Sequence, residues 1–184
     1  MPRSGAEARA RLREAALDLY GECGYDATTT AEIAARAGVT ERTYFRHFPD
    51  KREVLFDGEA ELREVMTGAI ASAPGSPAPL ALVLQAYVAA VPLFVAGRPV
   101  AERRAKIIAT SPALQERAHA KRDAVTDALI GALQDRGIAE PTARLAARVG
   151  AAVFERAGRE WDGASGSDLT ALIGQAADEL RELA

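Results

Sequence analysis

Three helix starts crowd into the segment TTTAEIAARAGVTERTYFRHFPDK, residues 28–51, and a chain that turns twice in so short a span must build a tight helical corner. Thr29 with Glu32 is a capping box, in which a hydroxyl and a carboxylate satisfy amides at a helix start. It predicts a short helix from Thr30 to Ala37 that stops at Gly38. Thr40 caps a second short helix through Phe48, and Asp50 with Glu53 is a further box that predicts a long helix to about Ser72. Gly38 can take the left-handed conformation that redirects the chain, and Val39 is apolar enough to plug the corner. Two short helices on a glycine turn can cross at the angle that lays the second in a major groove, although any three-helix core could hold such a turn.

The rest of the 184 residues also reads as helix, since Ala, Leu, Arg and Glu dominate and alternating runs of β-branched residues are missing. A first helix spans about Glu7 to Gly21, with Leu12, Ala16, Leu19 and Cys23 on its apolar face, and Gly24 ends it. After the break PGSPAP (74–79), helices are expected at about 79–96, 99–109, 111–135, 140–161 and 167–183, with Ser111 and Pro112 opening one of them and Gly137 closing it. The expectation is an all-α fold of about nine helices. Residues 1–51 are expected to form a three-helix domain of the helix-turn-helix type, and residues 52–184 a larger helical bundle.

Several function classes are disfavoured on residue grounds. A single cysteine, Cys23, permits no internal disulfide and suits the reducing cytoplasm; its spacing predicts a buried small hydrophobe. The apolar run LALVLQAYVAAVPLFVAG is interrupted by Gln85 and Pro92 and reads as a core helix, so no membrane association is expected. His47, His119 and Cys23 are too few for a zinc site, and no cofactor or metal is expected. The run GASGS does not meet the spacing of a serine nucleophile elbow, and no Gly-rich phosphate loop occurs, which argues against an enzyme. A helical adaptor that binds protein alone is the remaining rival.

The net charge of -3 is unevenly divided: residues 1–52 carry nine Lys or Arg against eight Asp or Glu, and the remainder 14 against 18. Arg3, Arg9, Arg11 and Arg13 make the N-terminus the most basic segment, suited to phosphates by charge. DNA-suited groups also gather about the second short helix, with Thr40 at its cap, Arg42 and Thr43 in its first turn, Arg46 and His47 in its last, and Lys51 just beyond. The caps at Thr29, Thr40 and Asp50 can each face a phosphate oxygen, Thr30 can add a hydroxyl, and Lys51 can reach the backbone.

Taken together, Thr29, Ile33, Ala34, Ala37, Gly38, Val39, Thr40, Thr43, His47, Phe48 and Lys51 give the segment from about Leu12 to Leu55 a pattern that resembles the DNA-binding domain of the TetR family. The resemblance covers less than a third of the chain. It implies phosphate contacts at Thr30, His47 and Lys51, and base edges or nearby backbone at Glu41, Arg42 and Thr43. Two departures stand out. Family members usually carry tyrosine where this chain has Phe45 and an aliphatic residue where it has Tyr44, so the hydroxyl has moved about 100° round the helix. Either Tyr44 reaches a phosphate from a new direction, or it is a half-buried core residue, and Phe45 acts by packing or by touching a thymine methyl. Ala31 stands where some relatives place a long polar reader, which leaves specificity mainly to Arg42.

In the last two helices, Leu145, Val149, Ala152, Val153 and Arg156 mark one stripe and Leu169, Leu172, Ile173, Ala176, Leu180 and Leu183 another, while Ala146, Ala147, Gly150 and Ala151 permit close helix approach. Ordinary core explains these equally well; the resemblance implies a homodimer through residues 140–183. Tyr87, Val91, Phe94, Ile107, Ile108 and Leu114 could line a cavity or fill the core, and the resemblance implies a cavity for a small-molecule effector. The resulting expectation is a dimeric, cytoplasmic, ligand-responsive repressor that binds palindromic operator DNA.

Overall fold

The computed structural model describes residues 5–163 and 166–183, so Arg3 and part of the Gly/Ser run after Trp161 lie outside the described residues. Among the described residues there are eight α-helices and no strand: α1 (Gly5–Cys23), α2 (Thr30–Arg36), α3 (Glu41–His47), α4 (Glu59–Ser72), α5 (Pro79–Ala109), α6 (Pro112–Asp135), α7 (Glu140–Glu160) and α8 (Gly166–Glu182). A single 3-10 turn, Glu53–Phe56, stands between α3 and α4.

The capping chemistry sets the starts as expected. Thr29 accepts from the Glu32 amide at 3.2 Å while the Glu32 carboxylate accepts from the Thr29 amide at 2.8 Å, which completes the box. Thr40 Oγ1 accepts from the Thr43 amide at 3.2 Å. Gly38 sits at φ 67°, a backbone conformation that a side chain resists, and lets the chain turn from α2 into α3.

Two expectations about helix length need correction. The long helix from Asp50 does not form. Asp50 Oδ1 accepts from the Arg52 and Glu53 amides at 2.7 and 3.1 Å, but Glu53 pairs with Arg117 and supports only the 3-10 turn. The chain then breaks at Asp57 and Gly58. Asp57 is held out of helical conformation by Arg9, 2.8 Å away, and Arg13, while Gly58 takes φ 95°. Conversely, the helices expected at 79–96 and 99–109 are one helix of 31 residues, which reduces nine helices to eight. Pro92 and Pro99 each remove an amide donor and should weaken a helix interior. Burial of Val91 on one side and Ile107 on the other carries the helix through both.

The chain divides into two compact units. The first comprises residues through Gly58 with Pro99–Ala120, and the second Glu59–Arg98 with the residues from Lys121 on. Val54 and Leu55 of the 3-10 turn, beyond the boundary expected after residue 51, are buried in the first core. That core joins Leu12, Ala16 and Leu19 of α1 to Ile33, Tyr44 and Phe48, and takes in Ile107 and Leu114. Cys23 is exposed, against expectation, because α1 ends there and the buried places beside its last turn go to Tyr20 and Tyr25. The second core gathers Met66, Ile70, Leu82, Val83, Leu129, Leu133, Val153, Leu169 and Ile173. In it Arg136 donates to the carbonyls of Ile70, Ala71, Ala73 and Gly75, closing the exposed end of α4.

Candidate DNA-binding face

The short helix α3 presents its residues in two sets. Tyr44 and Phe48 are fully buried, and the Tyr44 hydroxyl donates to the Asp50 carbonyl at 3.1 Å. Burial pushes the Tyr44 phenol above its ordinary pKa of 10. Of the two readings open for Tyr44, the core one holds, and its hydroxyl makes no outward contact. On the other side Arg42, Phe45 and Arg46 are exposed, and neither arginine has an ion pair among the described residues.

The remaining candidate residues hold the face in place or border it. Thr30 Oγ1 donates to Glu41 Oε1 at 2.6 Å, so the starts of α2 and α3 are tied together. The Thr40 and Thr43 hydroxyls lie 3.1 Å apart at the rim. Lys51, expected to reach the phosphate backbone, turns its ammonium inward. Its ammonium donates to the carbonyls of Tyr25, Asp26 and Thr28 at 2.9, 3.3 and 3.1 Å and stands 4.3 Å from the Tyr25 ring centroid, which uses its three protons inside the protein. Tyr20 completes the clamp by donating to the Lys51 carbonyl at 2.5 Å.

His47 lies against the start of α1, and its Nε2 is buried without a partner. Desolvation, then the neighbouring charges of Arg46 and Arg9, hold its pKa below the ordinary 6.5. Arg9 donates to the His47 carbonyl at 3.3 Å and stacks 4.7 Å from the Phe48 ring centroid. Part of the N-terminal basic cluster is thus spent on bracing. Sequence reasoning missed Arg9 and Tyr20 as braces, since their partners lie 31 to 48 residues away and leave no local signal.

Residues 12–57 match the family model for bacterial regulatory proteins of the tetR family. The likeness to that family lies in this one segment, from α1 through the 3-10 turn. A stretch of 79 residues is 34% identical to the HTH-type transcriptional regulator TcmR of Streptomyces glaucescens; it covers 43% of this chain and 35% of TcmR, so the match spans about a third of that relative's length. The fold extends further. A solved structure from Mesorhizobium loti assigned to the TetR family superposes with a TM-score of 0.62 over 98% of both chains at 17% identity. Thermus thermophilus FadR, a TetR-family transcriptional repressor solved in complex with lauroyl-CoA, does so with 0.55 over 95% of this chain and 93% of its own at 22% identity. At such identities the likeness speaks for the fold alone.

Elsewhere in the chain, the six residues expected to line one cavity are divided between two cores. Tyr87, Val91 and Phe94 belong to the second unit, where Phe154 stacks on Tyr87 at 4.5 Å and lies 4.6 Å from Phe94 between ring centroids. Ile107, Ile108 and Leu114 belong to the first. The single helix α5 contributes to both cores. The second unit instead carries an open depression of about 800 Å³ between α5 and α8, lined by Val88, Val91, Pro92, Val95, Ala96, Thr170 and Ala171. Of the residues named as cavity candidates, Val91 lies in its lining. By length and composition α5 could cross a membrane, but Leu82, Val83, Ala86, Tyr87, Ala90 and Val91 are buried in the second core.

Several small residues of α7 take the core place that was one of the two uses open for them. Ala143, Ala146, Ala147 and Gly150 are buried within the chain, and Gly150 faces Leu80 and Val83 of α5. The outward apolar residues of α7 and α8 are Leu145 and Leu183, 65% and 85% exposed, with Val149, Ala152, Leu172 and Leu180 beside them or partly covered. Arg156 pairs with Glu160 at 2.7 Å and Glu179 at 3.1 Å, tying the two helices together.

Proposed function

We propose that this chain is a sequence-specific DNA-binding transcriptional regulator, a ligand-responsive repressor that binds a palindromic operator as a homodimer. The reading rests on one observation: α3 offers Arg42, Phe45 and Arg46 outward, its cations unpaired, while Tyr44 and Phe48 anchor the helix from behind. In a major groove Arg42 would take guanine O6 and N7, Arg46 and the Thr40 and Thr43 hydroxyls would meet phosphates, and His47 would stand neutral at the edge. Lys51 would act by holding the segment before α2 against the end of α3.

Dimerisation would use the outward apolar residues of α7 and α8, placing two copies of α3 about one DNA turn (roughly 34 Å) apart. The effector would be apolar or carry an apolar chain, as the aliphatic lining between α5 and α8 favours. The lauroyl-CoA held by FadR is of that chemistry. Effector binding would change the spacing of the two reading helices, with α5 and α6 as the continuous elements that belong to both units.

The test is selection of bound sites from random duplex DNA by the purified full-length protein, followed by titration of the selected site against salt. An inverted repeat is expected, with log affinity falling against log salt at about -0.9 per neutralised phosphate. Arg42→Ala should relax preference at one base pair, at a discrimination of about 1–3 kcal/mol. Binding that is equal for all duplexes would overturn the reading.

A further inference from the structure

Phe45 is 52% exposed and is the large apolar side chain of the first unit that stands out in this way among the described residues. The core beneath is already sealed by Tyr44 and Phe48, so the ring is not needed there. Nor does it hang loose. It stands edge-on to the Tyr44 ring, 5.5 Å between centroids at 83°, and Tyr44 is fixed through its hydroxyl to the Asp50 carbonyl. Arg42, one turn before, and Arg46, the next residue, are exposed and without ion pairs among the described residues.

An ordered apolar ring between two uncompensated guanidinium groups calls for a surface that is anionic at its margins and apolar at one point. A protein surface rarely offers that combination. Duplex DNA does: phosphates border the major groove, and the one apolar group on its floor is the 5-methyl of thymine. Phenylalanine has neither donor nor acceptor, so it cannot read the hydrogen-bonding edge of any base.

The geometry points to Phe45 as a specificity-determining residue that reads a thymine methyl in each operator half-site. This rests on the DNA-binding reading above and adds to it the chemical group recognised. The relocation of the tyrosine hydroxyl to buried position 44 then has a consequence: the outward ring contributes apolar contact alone.

The selected operator provides the test. Each thymine is replaced in turn by 2′-deoxyuridine, which keeps the pairing edge, the O4 acceptor and the phosphate and removes only the methyl, and affinity is read by fluorescence anisotropy. One thymine per half-site should weaken binding about fourfold when replaced, and both together about fifteenfold, the effect of losing one buried methyl at each. 5-Bromodeoxyuridine, which restores an apolar group of similar size, should recover the affinity. Phe45→Ala, at an exposed position, should bind the thymine operator more weakly and lose its sensitivity to uracil. The inference fails if no uracil replacement weakens the parent protein beyond about twofold, or if Phe45→Ala remains as sensitive as the parent. If selection yields no preferred sequence at all, the DNA-binding reading falls and this inference with it, a result distinct from an operator indifferent to uracil.

Discussion

Replacing Gly150 with alanine pits two effects of similar size against each other. A Cβ at this position would lie 2.3 Å from Val83 Cγ1 and 3.2 Å from Val83 Cβ. Carbon atoms in contact rest about 3.5–4.0 Å apart, so Val83 must yield by more than about 1 Å. Rotating its side chain relieves only the nearer clash, and Val83 is fully buried and branched at Cβ, so α5 and α7 must also part. Overpacking of this kind costs about 1–3 kcal/mol, whereas alanine for glycine inside a helix returns up to about 1 kcal/mol. At the middle of that range the steric effect should win by about 1 kcal/mol, lowering the melting temperature by about 2–4 °C in a chain of this length. The assay is thermal unfolding at constant protein concentration, followed through Trp161, the sole tryptophan, which is buried in the same core. Gly68→Ala in α4, where an added Cβ meets nothing within 4 Å, is the control and should stabilise. Val83→Ala leaves a cavity and should destabilise alone, and adding Gly150→Ala to it should recover stability, because the new methyl occupies the vacated space. If Gly150→Ala raises the melting temperature as Gly68→Ala does, the close approach of α7 to α5 is refuted.

Lys51→Met should destabilise the first unit by about 1–3 kcal/mol, since three carbonyls lose their donor. It should leave the salt slope of operator binding unchanged; a slope shallower by about 0.9 would instead mark Lys51 as a phosphate contact. His47 has a folded pKa below its unfolded value of 6.5, so its contribution to stability is complete above pH 6.5 and declines as the pH falls through and below it. Asp50 and Glu32, also lowered, withdraw theirs only below about pH 4.5. The slope of stability between pH 7 and 5.5 should therefore flatten in His47→Gln, and an unchanged slope would show that His47 is not desolvated. Leu145→Glu should weaken self-association at least about tenfold in analytical ultracentrifugation, as expected for a charge placed in an apolar interface, and should lower operator affinity in parallel. Unaltered self-association would exclude this part of α7 from the interface.

What the amino-acid order alone decided was local. Caps, glycine turns and helical periodicity act within a few residues, which is why Thr29 with Glu32, Thr40, Gly38 and Gly137 marked the helix ends that the structure has. The resemblance from about Leu12 to Leu55 was legible for the same reason: its pattern lies in one short, contiguous segment, which the family model matches over residues 12–57. What tertiary structure decided was which partner each side chain meets. Arg9 and Arg13 claim Asp57 and break the helix expected there, Lys51 turns inward to three carbonyls, and burial on both sides carries α5 through Pro92 and Pro99. Gly150 likewise serves α5 of its own chain, though its spacing suited a second copy equally well. These outcomes depend on residues tens of positions apart, where packing energies outweigh the propensities that sequence displays.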